Sequence, residues 1–310
     1  MKIVTYTEVN GPERLGALVG DRVIDLALAA AMRGGGGTQA FRDILAFLSH
    51  GRYAIDHAAA TIAWAIPHGE RRFVLPLSEV RLLAPIPRPP KILCLAGNYA
   101  EHWREGGLTA PPKDNHTPEV FVKPVTTIVG PGAPIVLPGA LCTHVDHEGE
   151  LVAVIGSRAR NVAVERALEH VAGYANFNDV SGRKLTVDVA REPTAQTAWF
   201  DWLNGKWFDT FGPLGPFLSI DEIADPQDLT IQTRVNGTVR QNGKTGDMIF
   251  TVAETVAWLS RFLILEPGDV IATGTPSGVG ATTQTYLQAG DVVEVEVQGL
   301  GILRNRVEEP

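Results

Sequence analysis

The chain has 310 residues and a formal net charge of −8, and 45% of its residues are hydrophobic and 20% charged. Such a composition is typical of a soluble globular protein that can form one large domain and a smaller one. The acidic balance, without a Lys/Arg cluster to neutralise phosphates, argues against nucleic acid and anionic membranes as partners. We therefore expect a small-molecule substrate.

The sequence shows no targeting or membrane segment. Residues 1–6 enter a strand-like pattern directly, without the basic segment and apolar core of a secretory signal. The longest apolar run, residues 58–66, is too short to span a bilayer. Because two cysteines in a chain of this length fit a reducing compartment, we predict a cytoplasmic protein.

Residues 1–84 combine strand and helix patterns. Strand-like runs lie at residues 2–6, 15–19 and 22–25, and an amphipathic-helix spacing follows over residues 41–48. We predict a small N-terminal α/β accessory domain, which contains no chemical motif of its own.

A proline-rich hinge at residues 85–90 begins the second predicted domain, residues 85–310. Short strand patterns separated by Gly and Pro dominate it, and the clearest helix pattern covers residues 252–262. The predicted strands lie at residues 92–95, 151–155, 229–235, 270–272 and 292–297. These patterns predict a strand-dominated α+β fold.

Glu148 and Glu150 stand two residues apart at the start of an apolar run that reads as a strand buried on both faces. Side chains two apart on a strand point the same way and lie about 7 Å apart. Because unpaired buried carboxylates are costly, we expect a cation between them. Asp179, at the end of another strand-like run, is a candidate third ligand.

Three carboxylates without a soft ligand select a hard divalent cation: Mg²⁺, Mn²⁺ or Ca²⁺. A rival zinc site would use Cys142, His144 and His147, but no Cys-x-x-Cys or His-Glu-x-x-His spacing supports it. Arg183, on the turn after Asp179, is a candidate clamp for a substrate carboxylate.

Glu294 and Glu296 have the same spacing but alternate with valines. This alternation is typical of a half-buried strand with a solvated acidic face. We therefore predict no metal site at the second pair.

His102 and Glu105 are three residues apart, between a predicted strand and a Gly-Gly pair. On a helical turn this spacing places an imidazole beside a carboxylate, which fixes the tautomer and raises the basicity of a general base. The spacing by itself more often marks a surface salt link.

Two loops complete the candidate chemistry. Residues 205–216 combine Lys206 with aromatic residues and a rigid Gly/Pro loop, and this lysine could stabilise an oxyanion. Residues 273–280 form a glycine-rich loop whose N–H groups and Thr hydroxyls suit an anion, with a carboxylate the better guest because the loop has no lysine.

These blocks, in this order, resemble the fumarylacetoacetate hydrolase family over about residues 91–306. The matching segments lie at residues 98–105, 123–124, 148–151, 173–179, 206–216 and 273–280. The resemblance implies a mixed β-roll catalytic domain of the family's C-terminal type, a homodimer, and a cation held by Glu148, Glu150 and Asp179. It also implies that His102 and Glu105 lie on a lid over the substrate.

The resemblance further implies hydrolysis of a carbon–carbon bond in a 2,4-diketo acid, giving pyruvate or a related 2-oxo acid and a carboxylic acid. Tyr99, Arg183 and Thr275 would then bind substrate, His102 would activate water, and Lys206 would stabilise charge. Isomerisation or decarboxylation of a 2-hydroxymuconate-like or oxaloacetate-like acid at the same metal site is the alternative. A non-catalytic module with structural acids is a third.

The sequence departs from the family pattern after Arg183, where Lys184 and Thr186 replace an acid and a glutamine. We expect Gln196 or Arg191 to supply the missing polar contact and to shift substrate preference.

Overall fold

A computed structural model describes residues 1–9, 11–34, 36–187, 189 and 192–310. It confirms the predicted strand-dominated α+β fold, with mixed sheets and no closed barrel. The strands are β1 Lys2–Thr7, β2 Arg14–Val19, β3 Arg22–Asp25, β4 Val74–Pro76, β5 Arg81–Leu82, β6 Ile92–Ala96, β7 Glu119–Val122, β8 Ile128–Val129, β9 Ile135–Val136, β10 Val145–Asp146, β11 Gly149–Ile155, β12 Val171–Asn178, β13 Ser181–Gly182, β14 Gly212–Ser219, β15 Thr230–Val235, β16 Thr238–Lys244, β17 Val270–Ala272, β18 Val292–Val297 and β19 Ile302–Glu308.

Helices cover the edges and ends of the sheets. They are α1 Leu26–Arg33, α2 Ile44–Ser49, α3 Gly51–His68, α4 Ala100–Glu105, α5 Ala195–Asn204, α6 Val252–Phe262 and α7 Gly280–Thr283, with short 3-10 turns between elements. Thr251 begins α6 with a capping box: its hydroxyl accepts from Glu254 N–H, and the Glu254 side chain accepts from Thr251 N–H. The predicted helix 252–262 agrees with α6 residue for residue.

One large sheet runs through most of the chain in the order β4-β3-β2-β1-β14-β12-β11-β17-β6-β7. β1 pairs antiparallel with β14, Lys2 opposite Ser219, so backbone hydrogen bonds join the two sides of the proposed boundary at residue 84. The division into two domains stays a prediction.

A second sheet, in the order β16-β15-β18-β19-β9, packs against the first. Their contact is close at Gly149, where a Cβ atom would lie 2.1 Å from Thr233 Oγ1. Within the large sheet β11 lies between β12 and β17, and all seven of its residues are buried. This position explains why its sequence is apolar without alternation.

The predicted loop over residues 205–216 is wrong in its second half, since residues 212–219 form β14. Pro213 and Pro216 lack N–H donors, and prolines argue against a central strand. β14 tolerates them because its pairing with β12 is interrupted by an irregularity between Tyr174 and Asn176. Helix α5 was not predicted from the sequence.

In the part of the chain that the structure describes, no helix has the length and apolar character needed to cross a bilayer.

Candidate active site and metal centre

Glu148, Glu150 and Asp179 meet where β11 begins and β12 ends. Glu148 directly precedes β11, Asp179 directly follows β12, and the pairing of Gly149 with Asn178 places them side by side. Asp179 N–H donates to Glu148 O at 2.8 Å. All three acids are at least 95% buried, and one ligand oxygen from each lies within 4.8 Å of the others.

Three buried cations surround two of the acids. Lys206 Nζ lies 2.7 Å from both Glu148 Oε2 and Asp179 Oδ2. Lys123 Nζ lies 2.6 Å from Asp179 Oδ1, and the Arg183 guanidinium binds Glu148 Oε1. Glu148 and Asp179 are therefore held as carboxylates.

The pKa values of these groups follow from that arrangement. Burial acts to raise the pKa of Glu148, but the charges of Lys206 and Arg183 outweigh it and hold that pKa far below its ordinary value. Burial acts to lower the pKa of Lys206, but Asp179 and Glu148 raise it above its ordinary value. Both groups remain charged near neutral pH.

Glu150 differs from the other two acids. Its Oε2 accepts from Gly274 N–H at 2.8 Å, and no lysine, arginine or histidine of the described chain forms an ion pair with it. Burial and the charges of Asp179 and Glu148 raise the pKa of Glu150 well above its ordinary value. A divalent cation between the three acids would remove this cost, and three carboxylates are a hard donor set. The residues present therefore fit a divalent cation.

The backbone between the two glutamates is fixed by the second sheet. Gly149 N–H donates to Gln241 Oε1 at 2.9 Å, and Gly149 O accepts from Thr275 Oγ1 at 2.9 Å. Gln241 Nε2 in turn donates to Thr275 Oγ1 at 2.7 Å. Since the single Thr275 proton is already used, the hydroxyl contacts a substrate carboxylate only if this bond breaks.

His102 and Glu105 lie side by side on α4, as their spacing predicts. His102 Nδ1 is 2.6 Å from Glu105 Oε1, which leaves Nε2 for chemistry. Glu105 Oε2 accepts from Gly278 N–H at 2.7 Å and from Thr282 Oγ1 at 3.0 Å. These bonds attach α4 to the loop after β17.

The loop over residues 273–281 binds acids of the protein itself. Gly274 N–H donates to Glu150, Gly278 N–H to Glu105, and both Gly280 N–H and Ala281 N–H to Asp146. The expectation that its amides suit carboxylates holds, but the carboxylates in this structure are side chains from three different segments.

A cavity of about 760 Å³ opens beside the triad. Its polar side chains lie at the triad end, and its aromatic and aliphatic side chains form the remaining wall. The polar group comprises His102, Glu148, Arg183, Lys206, Thr275 and Thr282. The volume is that of a site for a small organic molecule.

Several expected residues lie outside this cavity. Tyr99 is buried in the core, with no partner for its hydroxyl, and burial raises its pKa. Gln196 is exposed at the start of α5 and is not among the cavity-lining residues. Arg191 lies outside the described residues. The roles of Tyr99 and Gln196 stay predictions.

The rival zinc site is not assembled. His144 packs edge-on against Tyr286, and His147 Nε2 lies 3.3 Å from Gly278 O. Within the described residues, the acidic triad is the group of His, Cys, Asp and Glu side chains close enough to share a cation.

Sequence reasoning did not assign functions to Lys123 and Asp146. Asp146 is fully buried and accepts from Arg183 Nε at 2.8 Å, so it orients the guanidinium toward Glu148. Lys123 follows β7 and reaches Asp179, 56 residues away. No local pattern marks either residue, because their partners come from distant segments.

Comparison with known proteins gives consistent results. Residues 91–308 match the family model described as fumarylacetoacetate (FAA) hydrolase C-terminal. Human mitochondrial oxaloacetate tautomerase FAHD2A is 40% identical over 264 residues, which is 84% of this chain and 78% of that protein.

Solved structures cover the whole chain. 2-Hydroxyhepta-2,4-diene-1,7-dioate isomerase from Mycobacterium marinum is similar with a TM-score of 0.71 and 30% identity, covering 100% of this chain and 98% of that one. Maleylpyruvate hydrolase from Sphingobium sp. SYK-6, solved with manganese(II) and pyruvate, is similar with a TM-score of 0.75 and 26% identity, covering 100% and 99%.

Proposed function

The chain belongs to the fumarylacetoacetate hydrolase family, and from this premise we propose that it hydrolyses a carbon–carbon bond of a 2,4-diketo acid with Mg²⁺ or Mn²⁺ as cofactor. The products are pyruvate, or a related 2-oxo acid, and a carboxylic acid. By analogy with the family, we further propose a homodimer.

One observation carries this proposal: a candidate base and a candidate cation site face the same cavity. His102 lies on one wall, with its Nδ1 held by Glu105, and Glu148 lies on another with Glu150 and Asp179 behind it. A 2-oxo carboxylate at the acids would present its distal carbonyl toward the imidazole.

The bound cation would supply Lewis-acid polarisation of the 2-oxo group and stabilisation of negative charge. Arg183 uses Nε for Asp146 and one terminal nitrogen for Glu148, which leaves further N–H donors for the substrate carboxylate. Lys206 adds positive charge at the triad end.

Hydrolysis needs His102 as a base. Its Nε2 takes a proton as water adds to the distal carbonyl, and Glu105 stabilises the resulting imidazolium. The carbon–carbon bond then breaks, its electron pair becomes the enolate of pyruvate, and a proton from the imidazolium reaches the released carbon. Water is consumed and one carboxylic acid is formed.

Tautomerisation of oxaloacetate is the second candidate, favoured by the 40% identity to the human tautomerase. It needs proton transfer and enolate stabilisation at the same groups, without addition of water. The notion of a decarboxylase or isomerase rests on the same site.

The test is incubation of the protein with acetylpyruvate or fumarylpyruvate and Mg²⁺ or Mn²⁺, with and without EDTA. We expect metal-dependent loss of the enol absorbance with one pyruvate formed per substrate consumed. Metal-dependent relaxation of the oxaloacetate keto–enol equilibrium, with no pyruvate from either diketo acid, would replace hydrolysis by tautomerisation.

A further inference from the structure

The cavity beside the triad has an apolar end that the proposed chemistry does not use. Its wall comes from α4, β7, α5 and the loop after α4. The apolar side chains that face it are Trp103, Leu108, Val120, Phe121, Trp199 and Trp202.

Helix α5 provides a continuous row of side chains from the triad to solvent. Trp199, Trp202 and Lys206 are spaced by three and four residues, so they follow one face. The distance along this row is roughly 10 Å at 1.5 Å per residue. Lys206 is at the acids, Trp202 lies next to it, and Trp199 is outermost.

The inner part of this row is fixed by aromatic contacts. The Trp202 ring meets Phe121 edge-on with centroids 4.9 Å apart. Lys206 Nζ lies 5.3 Å from the Phe121 centroid and 5.8 Å from the Trp202 centroid. Trp202 is therefore held in place before any ligand binds.

Trp199 is not required by the core. It is 53% exposed and lines the cavity, so an indole ring remains in contact with water beside the site. A ligand that covered this ring would gain apolar burial and ring contacts.

The charges in the cavity disfavour a second carboxylate at this end. Among the described lining residues, Arg183 and Lys206 are the lysine and arginine side chains, and both bind Glu148. The apolar end adds Glu119, which would repel an anion. A four-carbon dicarboxylic acid would also fill little of a 760 Å³ cavity.

We propose that the substrate's acyl end is a bulky apolar or aromatic group, and that Trp199 and Trp202 determine this preference. The inference rests on the proposed function, because it takes the triad as the site of the 2-oxo acid head. It predicts an aroyl or long acyl pyruvate as the best diketo substrate, ahead of one that ends in a carboxylate.

The test measures binding of 2-oxo acids that lack the 4-oxo group and so cannot undergo the proposed hydrolysis. Titration calorimetry in Mg²⁺ compares 2-oxo-4-phenylbutanoate, 2-oxopentanoate and 2-oxoglutarate. We expect the phenyl compound to bind about tenfold more tightly than either of the others.

Trp199→Ala should reduce this preference about fivefold or more, while Trp199→Phe retains most of it. Trp202 is a poorer first target, since its packing on Phe121 links it to the core. Phe262→Ala removes another exposed aromatic side chain, on α6 and outside the cavity lining, and should change nothing.

Equal or tighter binding of 2-oxoglutarate, or an unchanged preference in Trp199→Ala, would overturn the inference. A changed oligomeric state in Trp199→Ala with unchanged preference would instead assign the ring to contact between copies. Because these ligands are not cleaved, the outcome is separate from the proposed reaction. An aromatic preference without pyruvate from benzoylpyruvate would overturn hydrolysis alone, and hydrolysis without the preference would overturn this inference alone.

Discussion

Glu148 and Glu150 have the same spacing as Glu294 and Glu296, but the two pairs have different surroundings. The first pair is at least 95% buried beside Asp179. The second lies on β18, whose valines face inward, and Arg234 binds both acids at the surface: Nε lies 3.1 Å from Glu294 and a terminal nitrogen 2.7 Å from Glu296.

The difference shows what spacing alone can establish. Two acids at i, i+2 share a direction on any strand. A surface pair can be neutralised by one arginine and water, whereas the buried pair includes Glu150, which has no cation partner in the described chain. Burial on both faces of the strand, and not the motif, distinguishes a metal site from a wet face.

The largest expected contrast comes from neutralising one acid in each pair. Glu150→Gln should weaken Mn²⁺ binding by at least about 100-fold, beyond the loss typical of a residue outside the coordination shell. Its Tm should no longer rise with Mn²⁺, because ligand binding stabilises only a site that binds. Calorimetry and thermal melts with and without EDTA measure both.

Glu294→Gln is the matched control and should retain wild-type Mn²⁺ affinity. Without metal, Glu150→Gln should be at least as stable as the wild type, since it removes an uncompensated buried charge. Equal loss of affinity in the two variants would contradict the comparison.

Replacement of His102 separates chemistry from metal binding. His102→Ala should reduce kcat by about 10²- to 10⁴-fold, the usual contribution of a general base. Mn²⁺ affinity and Tm should be unchanged, because His102 is partly exposed and contacts Glu105 and not the triad. If instead Glu148→Ala lowered Tm without affecting turnover, the acids would be structural.

Glu105 makes a third environment for an acid, intermediate between the two pairs. Burial acts to raise its pKa, but bonds from His102, Gly278 N–H and Thr282 outweigh it and hold the pKa below the ordinary 4.5. A lowered folded pKa contributes stability that is complete above pH 4.5 and is lost as pH falls through the folded value.

Thermal melts of wild type and Glu105→Gln check this dependence. The wild type should have the higher Tm at neutral pH, and the difference should shrink toward about pH 3 as Glu105 protonates. A difference independent of pH would show that the bonds at Glu105 do not depend on its charge.

The smallest effect is expected at the surface pair. Arg234→Gln should cost about 1 kcal/mol or less in the free energy of unfolding, as is usual for ion pairs in contact with water. Urea denaturation measures this, and Mn²⁺ affinity should not change. A loss of several kcal/mol would mean that β18 depends on its acidic face.

The sequence was most informative where pattern and burial agree. The apolar run after Glu150 identified β11, and the i, i+3 spacing of His102 and Glu105 gave their contact on α4. Both inferences need only local geometry. The convergence of Asp179 on the glutamates depended on strand ends that the sequence marks with polar residues.

The remainder depends on distant pairing. Prolines concealed β14, although its place in the sheet between β1 and β12 joins the beginning and the middle of the chain. The polar contact expected from Gln196 was inferred from sequence position, but α5 directs Trp199 and Trp202 to the cavity while Gln196 is exposed. Which face of an unpredicted helix meets a site is set by packing.

Gly149 has a consequence for anyone who would transplant this metal site. No side chain fits between the two glutamates, because Thr233 of the neighbouring sheet occupies that space and Gln241 holds the backbone. A graft of Glu-Gly-Glu onto an unrelated strand would copy the acids without their backing. Such a design would need the second sheet as well, so the smallest portable unit is a pair of stacked sheets.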